Sequence, residues 1–173
     1  GVPYSEYSTF HAVMAEASAA RFDSLLVETI LPLVPNIVEH LDSGINVSDV
    51  GCGSGHAINV MAQAFPNSTF TGMDFSSEAI GVAREEAMQL ELANVDFVEQ
   101  DAANLQFDQV FDFVTTFDAV HDQAQPQKMV AGIYASLKSG GYWLCADLCA
   151  SSHLGENLDH PIGTFGYTVS CMH

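Results

Sequence analysis

The segment Asp49-Val50-Gly51-Cys52-Gly53-Ser54-Gly55-His56 sets three alternate glycines directly after an apolar run, and a helical pattern begins at once. Glycine lets the main chain turn tightly and approach a bound molecule with no side chain in the way, so backbone amides are expected to reach a ligand here. The spacing is Gly-x-Gly-x-Gly with an acid two residues before the first glycine, whereas the dinucleotide fingerprint puts its third glycine one step later. The shorter spacing favours S-adenosylmethionine (SAM) over NAD. Asp49, Gly51, Gly53 and Gly55 are then candidates to hold the amino-acid moiety of that cofactor, with the main chain of Cys52 between them. The competing reading is a tight bend that serves packing alone.

Three further places carry groups suited to chemistry. Asp74-Phe75 ends a second apolar run, where the carboxylate can accept from both hydroxyls of a ribose and the ring can lie against a flat base. An acid at a helix N-terminus is the competing reading. Gln100-Asp101-Ala102 follows a third run, and its carboxylate could accept from an exocyclic adenine amine or stand as a solvated loop acid. Thr116-Phe117-Asp118-Ala119-Val120-His121-Asp122-Gln123 ends a fourth and brings an imidazole and two carboxylates near the expected methyl position. His121 can orient a substrate or accept its proton, or equally cap or pack beside a helix. His153, His160, Cys171 and His173 are too irregularly spaced for a metal site, and none is expected.

These groups need a scaffold, and the periodicity describes one. Apolar residues recur at helical spacing from Phe10 to Leu31, with a break near Phe22-Asp23-Ser24, which predicts two short helices ending at Pro32. Ile37 to Leu41 predicts a further turn, and Ile45 to Val50 the first strand. After the glycine turn comes a helix up to Pro66, a strand at Thr69 to Met73, and a helix capped by Ser76 or Ser77 that runs on towards Leu92. Asp96 to Glu99 and Val110 to Thr116 are the third and fourth strands. Pro126 opens a helix that Gly140-Gly141 ends, and Tyr142 to Leu148 is apolar enough to be a strand buried on both faces. The fold class is α/β, a doubly wound and mostly parallel Rossmann-like sheet. Residues 1–44 form a helical segment packed on the core, 45–150 the cofactor-binding core, and 151–173 an irregular lid or substrate-side segment of the same single domain.

The 173 residues are 48% apolar, enough for one buried core. Four Lys plus Arg against 22 Asp plus Glu give a formal net charge of −18, which argues against nucleic acid or an anionic membrane as partner. No apolar stretch reaches the ~18 residues of a membrane span, and no signal peptide opens the chain. The four cysteines lack zinc spacing and are expected to be free thiols in a reducing cytosol.

Together the stretches Asp49 to Gly55, Asp74-Phe75, Asp101-Ala102 and Phe117 to Gln123 resemble the class I SAM-dependent methyltransferases, over Val47 to Leu148. Pro3-Tyr4-Ser5, Phe10 to Met14, Phe117 to Gln123 and Ser151 to Pro161 resemble more narrowly a bacterial and animal group with a winged-helix domain ahead of the methyltransferase domain. That resemblance implies a seven-stranded sheet. It also implies SAM on the turn Gly51, Cys52, Gly53 and Gly55 with Asp49 behind it, ribose on Asp74, adenine near Phe75, Asp101 and Ala102, and Phe117 beside the cofactor. His121 is the candidate catalytic residue and a small molecule the methyl acceptor. Five strands can be counted, so the core is expected to lack the last two strands. An uncovered fifth strand would then favour a homodimer through that edge. A noncatalytic cofactor-binding or dimerising fragment, and less readily an NAD-dependent oxidoreductase, are the rival readings.

Overall fold

Short apolar runs that alternate with amphipathic helices can bury both faces only by stacking side by side as a parallel sheet between helical layers. The computed structural model describes residues 18–164 and 166–167 and has that arrangement. Strands β1 (Asn46–Val50), β2 (Thr69–Asp74), β3 (Val95–Glu99), β4 (Phe111–Phe117) and β5 (Leu137–Ala146) are ordered β3-β2-β1-β4-β5, with every neighbouring pair parallel. Val50 sits opposite Met73, Asp49 opposite Thr115, and Phe117 opposite Ala146, so the carboxyl ends of the strands open on one side. Successive strands step outward from β1 in one direction and then, at β4, in the other. The reversal falls between β1 and β4, the place where open α/β sheets take their ligands.

Helix α1 covers 18–25 and continues through a π turn, Leu26–Ile30, into a 3-10 turn, Leu31–Leu33. It is followed by α2 (Ile37–Ser43), α3 (His56–Ala64), α4 (Ser77–Gln89) and α5 (Pro126–Ser136). Leu26, Leu31, Ile37, Leu41, Ile58, Met61 and Ile80 cover one core with Val47, Phe70 and Phe113, whereas Met129 and Ile133 of α5 cover a second with Val50, Met73 and Val114. Adjacent Phe113 and Val114 belong to different cores, as the two-residue period of a strand requires. No single helix among the described residues is long and apolar enough to cross a membrane. The bent pair Ser18–Leu33 and Ile37–Ser43 comes nearest, and its Leu26, Leu31, Ile37 and Leu41 are core residues.

Three expectations change. The helical run does not break at Phe22-Asp23-Ser24, because the Ser24 hydroxyl donates to the Ala20 carbonyl (2.8 Å) and stays within the helix. The irregularity comes later, at the π and 3-10 turns, and Pro32 lies inside the second of these. Phe10, Val13, Met14 and Ala17 fall outside the described residues, as do Pro3 to Ser5, Cys171 and His173. Helix α4 stops at Gln89 rather than near Leu92.

The largest change concerns β5. The chain leaves α5 at Ser136 and pairs with β4 from Leu137, so Gly140-Gly141 lies within the strand instead of ending the helix, and Leu148 lies beyond it. A Cβ on Gly141 would stand 2.8 Å from the Asp112 carbonyl, so the glycine permits the close approach of the two strands there. A register shift between Phe111 and Phe113 accompanies it. As the outer strand of the sheet, β5 is half-exposed along its length and not buried on both faces.

Residues 18–147 form one compact unit. The described part of the other, 148–164 with 166–167, is knit around Asn157, whose side chain accepts from the Ser151 amide (2.9 Å) and donates to the Ser151 carbonyl (2.8 Å).

Candidate functional site

Each strand brings an acid to the carboxyl side of the sheet: Asp49 within β1, Asp74 ending β2, Asp101 after β3, Asp118 after β4 and Asp147 after β5. Asp49 is buried and Asp118 already pairs with Arg21 (2.7 Å), so a field that favours a cation comes from the other three.

The glycine turn between β1 and α3 has positive φ at Gly51 (+76°), Gly53 (+54°) and Gly55 (+76°). The three glycines are needed for different reasons. A Cβ on Gly51 would lie 2.7 Å from that of Ala119, and one on Gly55 would lie 2.5 Å from the Ala83 Cβ and 2.7 Å from the Phe97 ring. Those two serve close packing against the β4 end and against α4 with β3. A Cβ on Gly53 would meet nothing within 4 Å, so that glycine borders open space. Four of the turn's amides, however, bond within the protein. Gly51 and Cys52 both donate to the Met73 carbonyl (2.8 and 3.0 Å), Gly55 donates to the Cys52 carbonyl (2.9 Å), and Gly53 donates to Asp74 (2.9 Å). The expectation that these amides hold a ligand is therefore revised. Carbonyl oxygens in such a turn can accept from an ammonium but not from an anion.

Asp74 joins the turn to the next helix. One carboxylate oxygen accepts from the Gly53 amide and the other from the Ser76 amide (both 2.9 Å), while the Ser76 hydroxyl accepts from Ala79 (3.2 Å) and caps α4. A carboxylate oxygen has two lone-pair sites, so each can still take a ligand hydroxyl. Phe75 beside it is exposed. Asp101 caps the 3-10 turn Ala102–Asn104 through the Ala103 amide (2.8 Å) and the Asn104 side chain (2.7 Å), and Ala102 is buried. The Phe117 ring meets Phe22 of α1 edge to face at 4.9 Å. Two residues on, Ala119 packs against Gly51, which sets the β4 end beside the glycine turn.

Asp49 is buried, and its carboxylate accepts from the Thr115 hydroxyl at 2.8 Å. Burial pushes its pKa from the ordinary 3.8 up to about 7; the Thr115 bond works against the rise and the charge on Asp74 adds to it. A carboxyl whose pKa is higher folded than unfolded favours the folded state fully below about 3.8, and the benefit is lost as pH rises through about 7. The gap corresponds to roughly 4 kcal/mol. Asp49→Asn is expected to match the parent in melting temperature near pH 4 and exceed it at pH 8; curves that run parallel across this range would contradict the burial effect. At Cys52, burial first, then Asp49 and Asp74, push the thiol well up, so it is a neutral thiol and not a nucleophilic thiolate.

Two features escaped the sequence reading. His56 of α3 bonds Glu86 of α4 through Nδ1 (2.5 Å) and Asp23 of α1 through Nε2 (3.0 Å), tying three helices together behind the turn. Burial works against its charged form, but the two carboxylates outweigh this and raise its pKa above the ordinary 6.5. Asp147 is the second. Its Oδ1 meets His121 Nδ1 at 2.5 Å, and its Oδ2 accepts from the Val120 and His121 amides at 3.2 and 3.3 Å. An acid at the end of an apolar run, as at Asp74, is the signal for it, but the apolar pattern Tyr142 to Leu148 runs past Asp147 and masks that end. His160 bonds through both ring nitrogens, to the Cys149 carbonyl and the Ile162 amide, and no cluster of three or more metal-binding side chains occurs among the described residues.

A family profile described as a methyltransferase domain matches residues 41–162. A demethylmenaquinone methyltransferase of Listeria welshimeri is 33% identical over 109 residues, 62% of this chain and 46% of the relative. A phthiotriol/phenolphthiotriol dimycocerosates methyltransferase of Mycobacterium leprae is 30% identical over 115 residues, 66% of this chain and 42% of the relative. The chain thus spans about half the length of the curated relatives it matches. Among solved structures, the YcgJ protein of Bacillus subtilis superposes with a TM-score of 0.63 at 26% identity, covering 73% of this chain and 53% of that one. The [4+2]-cyclase SpnF superposes at 0.61 with 27% identity, covering 74% and 44%.

Proposed function

Because the chain belongs to the methyltransferase domain family, we propose that it binds SAM at the crevice between β1 and β4 and moves the methyl group to a small-molecule acceptor. The observation that carries this reading is the open space at Gly53 directly beside the Asp74 carboxylate. An acceptor there suits a ligand with an ammonium, a sulfonium and two ribose hydroxyls, and does not suit a pyrophosphate.

Asp74 would take the ribose hydroxyls on its remaining lone pairs, and the carbonyls of the turn would take the ammonium. Phe75, Asp101 and Ala102 would border the adenine, and Phe117 the cofactor's reactive end. When bound, SAM supplies a methyl on a positively charged sulfur, whose bond breaks towards sulfur as the acceptor's bond to carbon forms. The chain's own task is to hold the acceptor in line and receive its proton, and His121 at the β4 end is the group for the proton. Positioning of this kind is worth ~7 to 11 kcal/mol. The two relatives carry names that denote a demethylated quinone and a triol, which supports an acceptor bearing oxygen.

Calorimetric titration with S-adenosylhomocysteine tests the reading: saturable binding is expected, and none at millimolar ligand by folded protein rejects it. The exposed outer edge of β5 further supports self-association there. Sedimentation should show a dimer at high concentration that Tyr142→Lys, at an exposed position of the strand, disrupts; a monomer at every concentration contradicts it.

A further inference from the structure

We infer that Asp147 is the positioning residue that makes His121 a proton acceptor, by holding the imidazole proton on Nδ1 and leaving Nε2 bare at the carboxyl end of β4. The inference rests on the role proposed above for His121. Its basis is the way one carboxylate grips the residue twice. Asp147 Oδ2 accepts from the amides of Val120 and His121, which fixes the main chain, and Oδ1 meets Nδ1 at 2.5 Å, which fixes the ring. The strands set up the pair. Asp147 directly follows Ala146, which pairs with Phe117, and the Asp118 amide donates to the Ala146 carbonyl at 2.8 Å, so the ends of β4 and β5 are locked in register.

A second carboxylate, Asp122, lies 3.3 Å from Nε2. The two compete for the single proton of a neutral ring. Asp147 is nearer and less exposed, with 20% of its side chain accessible against 43% for Asp122, and the stronger bond forms at the shorter, drier contact. The proton therefore stays on Nδ1. As the acceptor's nucleophilic atom bonds to the methyl carbon, its proton passes to Nε2. The resulting imidazolium is flanked by Asp147 and Asp122 and releases that proton to water, since the ring is partly exposed.

The same geometry predicts what asparagine would do at this position. The amide oxygen of Asp147→Asn must remain with the Val120 and His121 amides, so its NH2 turns to Nδ1 and donates to it. The ring is then forced to carry its proton on Nε2. Long-range 1H–15N spectra of the full chain, recorded where His121 is neutral, read this directly. The parent is expected to show a protonated Nδ1 and a bare Nε2, Asp147→Asn the reverse, and Asp122→Asn the parental pattern. Diethyl pyrocarbonate, which acylates a bare ring nitrogen, is expected to modify His121 at least about tenfold more slowly in Asp147→Asn, the ratio that one charge-assisted hydrogen bond commands. S-adenosylhomocysteine affinity should not change. A parental ring protonated at Nε2 overturns the assignment whether or not the variant folds, as does a variant that folds and keeps both the parental tautomer and the parental acylation rate. A parent that fails to bind S-adenosylhomocysteine would instead remove the cofactor reading and leave the tautomer result standing.

Discussion

Asp74→Ala is expected to weaken S-adenosylhomocysteine binding by about 1.5 to 3 kcal/mol, roughly 10- to 150-fold, for each charge-assisted hydrogen bond lost to the ribose. The effect has a second source. Asp74 also accepts from the amides of Gly53 and Ser76, so its removal leaves both donors without a protein partner and frees the turn from the start of α4. Asparagine is not a conservative rescue here. Its single oxygen can serve one of the two amides, and its NH2 would then face the other donor. Asp74→Asn is therefore expected to fall close to alanine, with glutamate worse placed because of its extra methylene. Isothermal titration of the three variants against the parent checks this, with far-UV circular dichroism to confirm that each is folded. An unchanged affinity for folded Asp74→Ala would remove the residue from the site.

The second large effect separates two glycines two residues apart. Gly55→Ala puts a side chain into a left-handed backbone, at a cost of about 1 to 2 kcal/mol, and drives its Cβ against Ala83 and the Phe97 ring, which adds about 1 to 3 kcal/mol. A total of roughly 2 to 5 kcal/mol is a large part of the ~5 to 15 kcal/mol that holds a domain together. Gly53→Ala meets the same backbone penalty but no neighbour, since nothing lies within 4 Å of the new Cβ. It should therefore keep most of the stability and lose binding, because the methyl enters the space where the cofactor would lie. Urea unfolding with paired titrations distinguishes them. Equal losses of stability at the two positions would contradict the division of labour between packing and binding.

The resemblance of this fold to a [4+2]-cyclase as well as to methyltransferases shows why the site needs such tests. A sheet with an opening between β1 and β4 is a scaffold for a bound molecule, and the reaction depends on which groups stand at its rim. Here those are carboxylates at or just beyond the strand ends and one imidazole gripped by Asp147.

The sequence alone determined the alternation of strands and helices, the glycine turn and the acids that close β2 and β3, because these depend on short-range pattern: apolar period, capping residues and glycine where the chain must turn. Ser76 as a cap, Pro126 as a helix start and Asn46–Val50 as a strand are readable within a window of a few residues. Only the tertiary structure decided that the amides of Gly51, Cys52, Gly53 and Gly55 bond Met73, Cys52 and Asp74, that Gly140-Gly141 lies in a strand, and that Asp147 meets His121 across 26 positions. The physical reason is that these outcomes turn on which partner a backbone or carboxylate group finds. Partners are assigned by strand register, and register is set by the packing of two cores on a whole sheet.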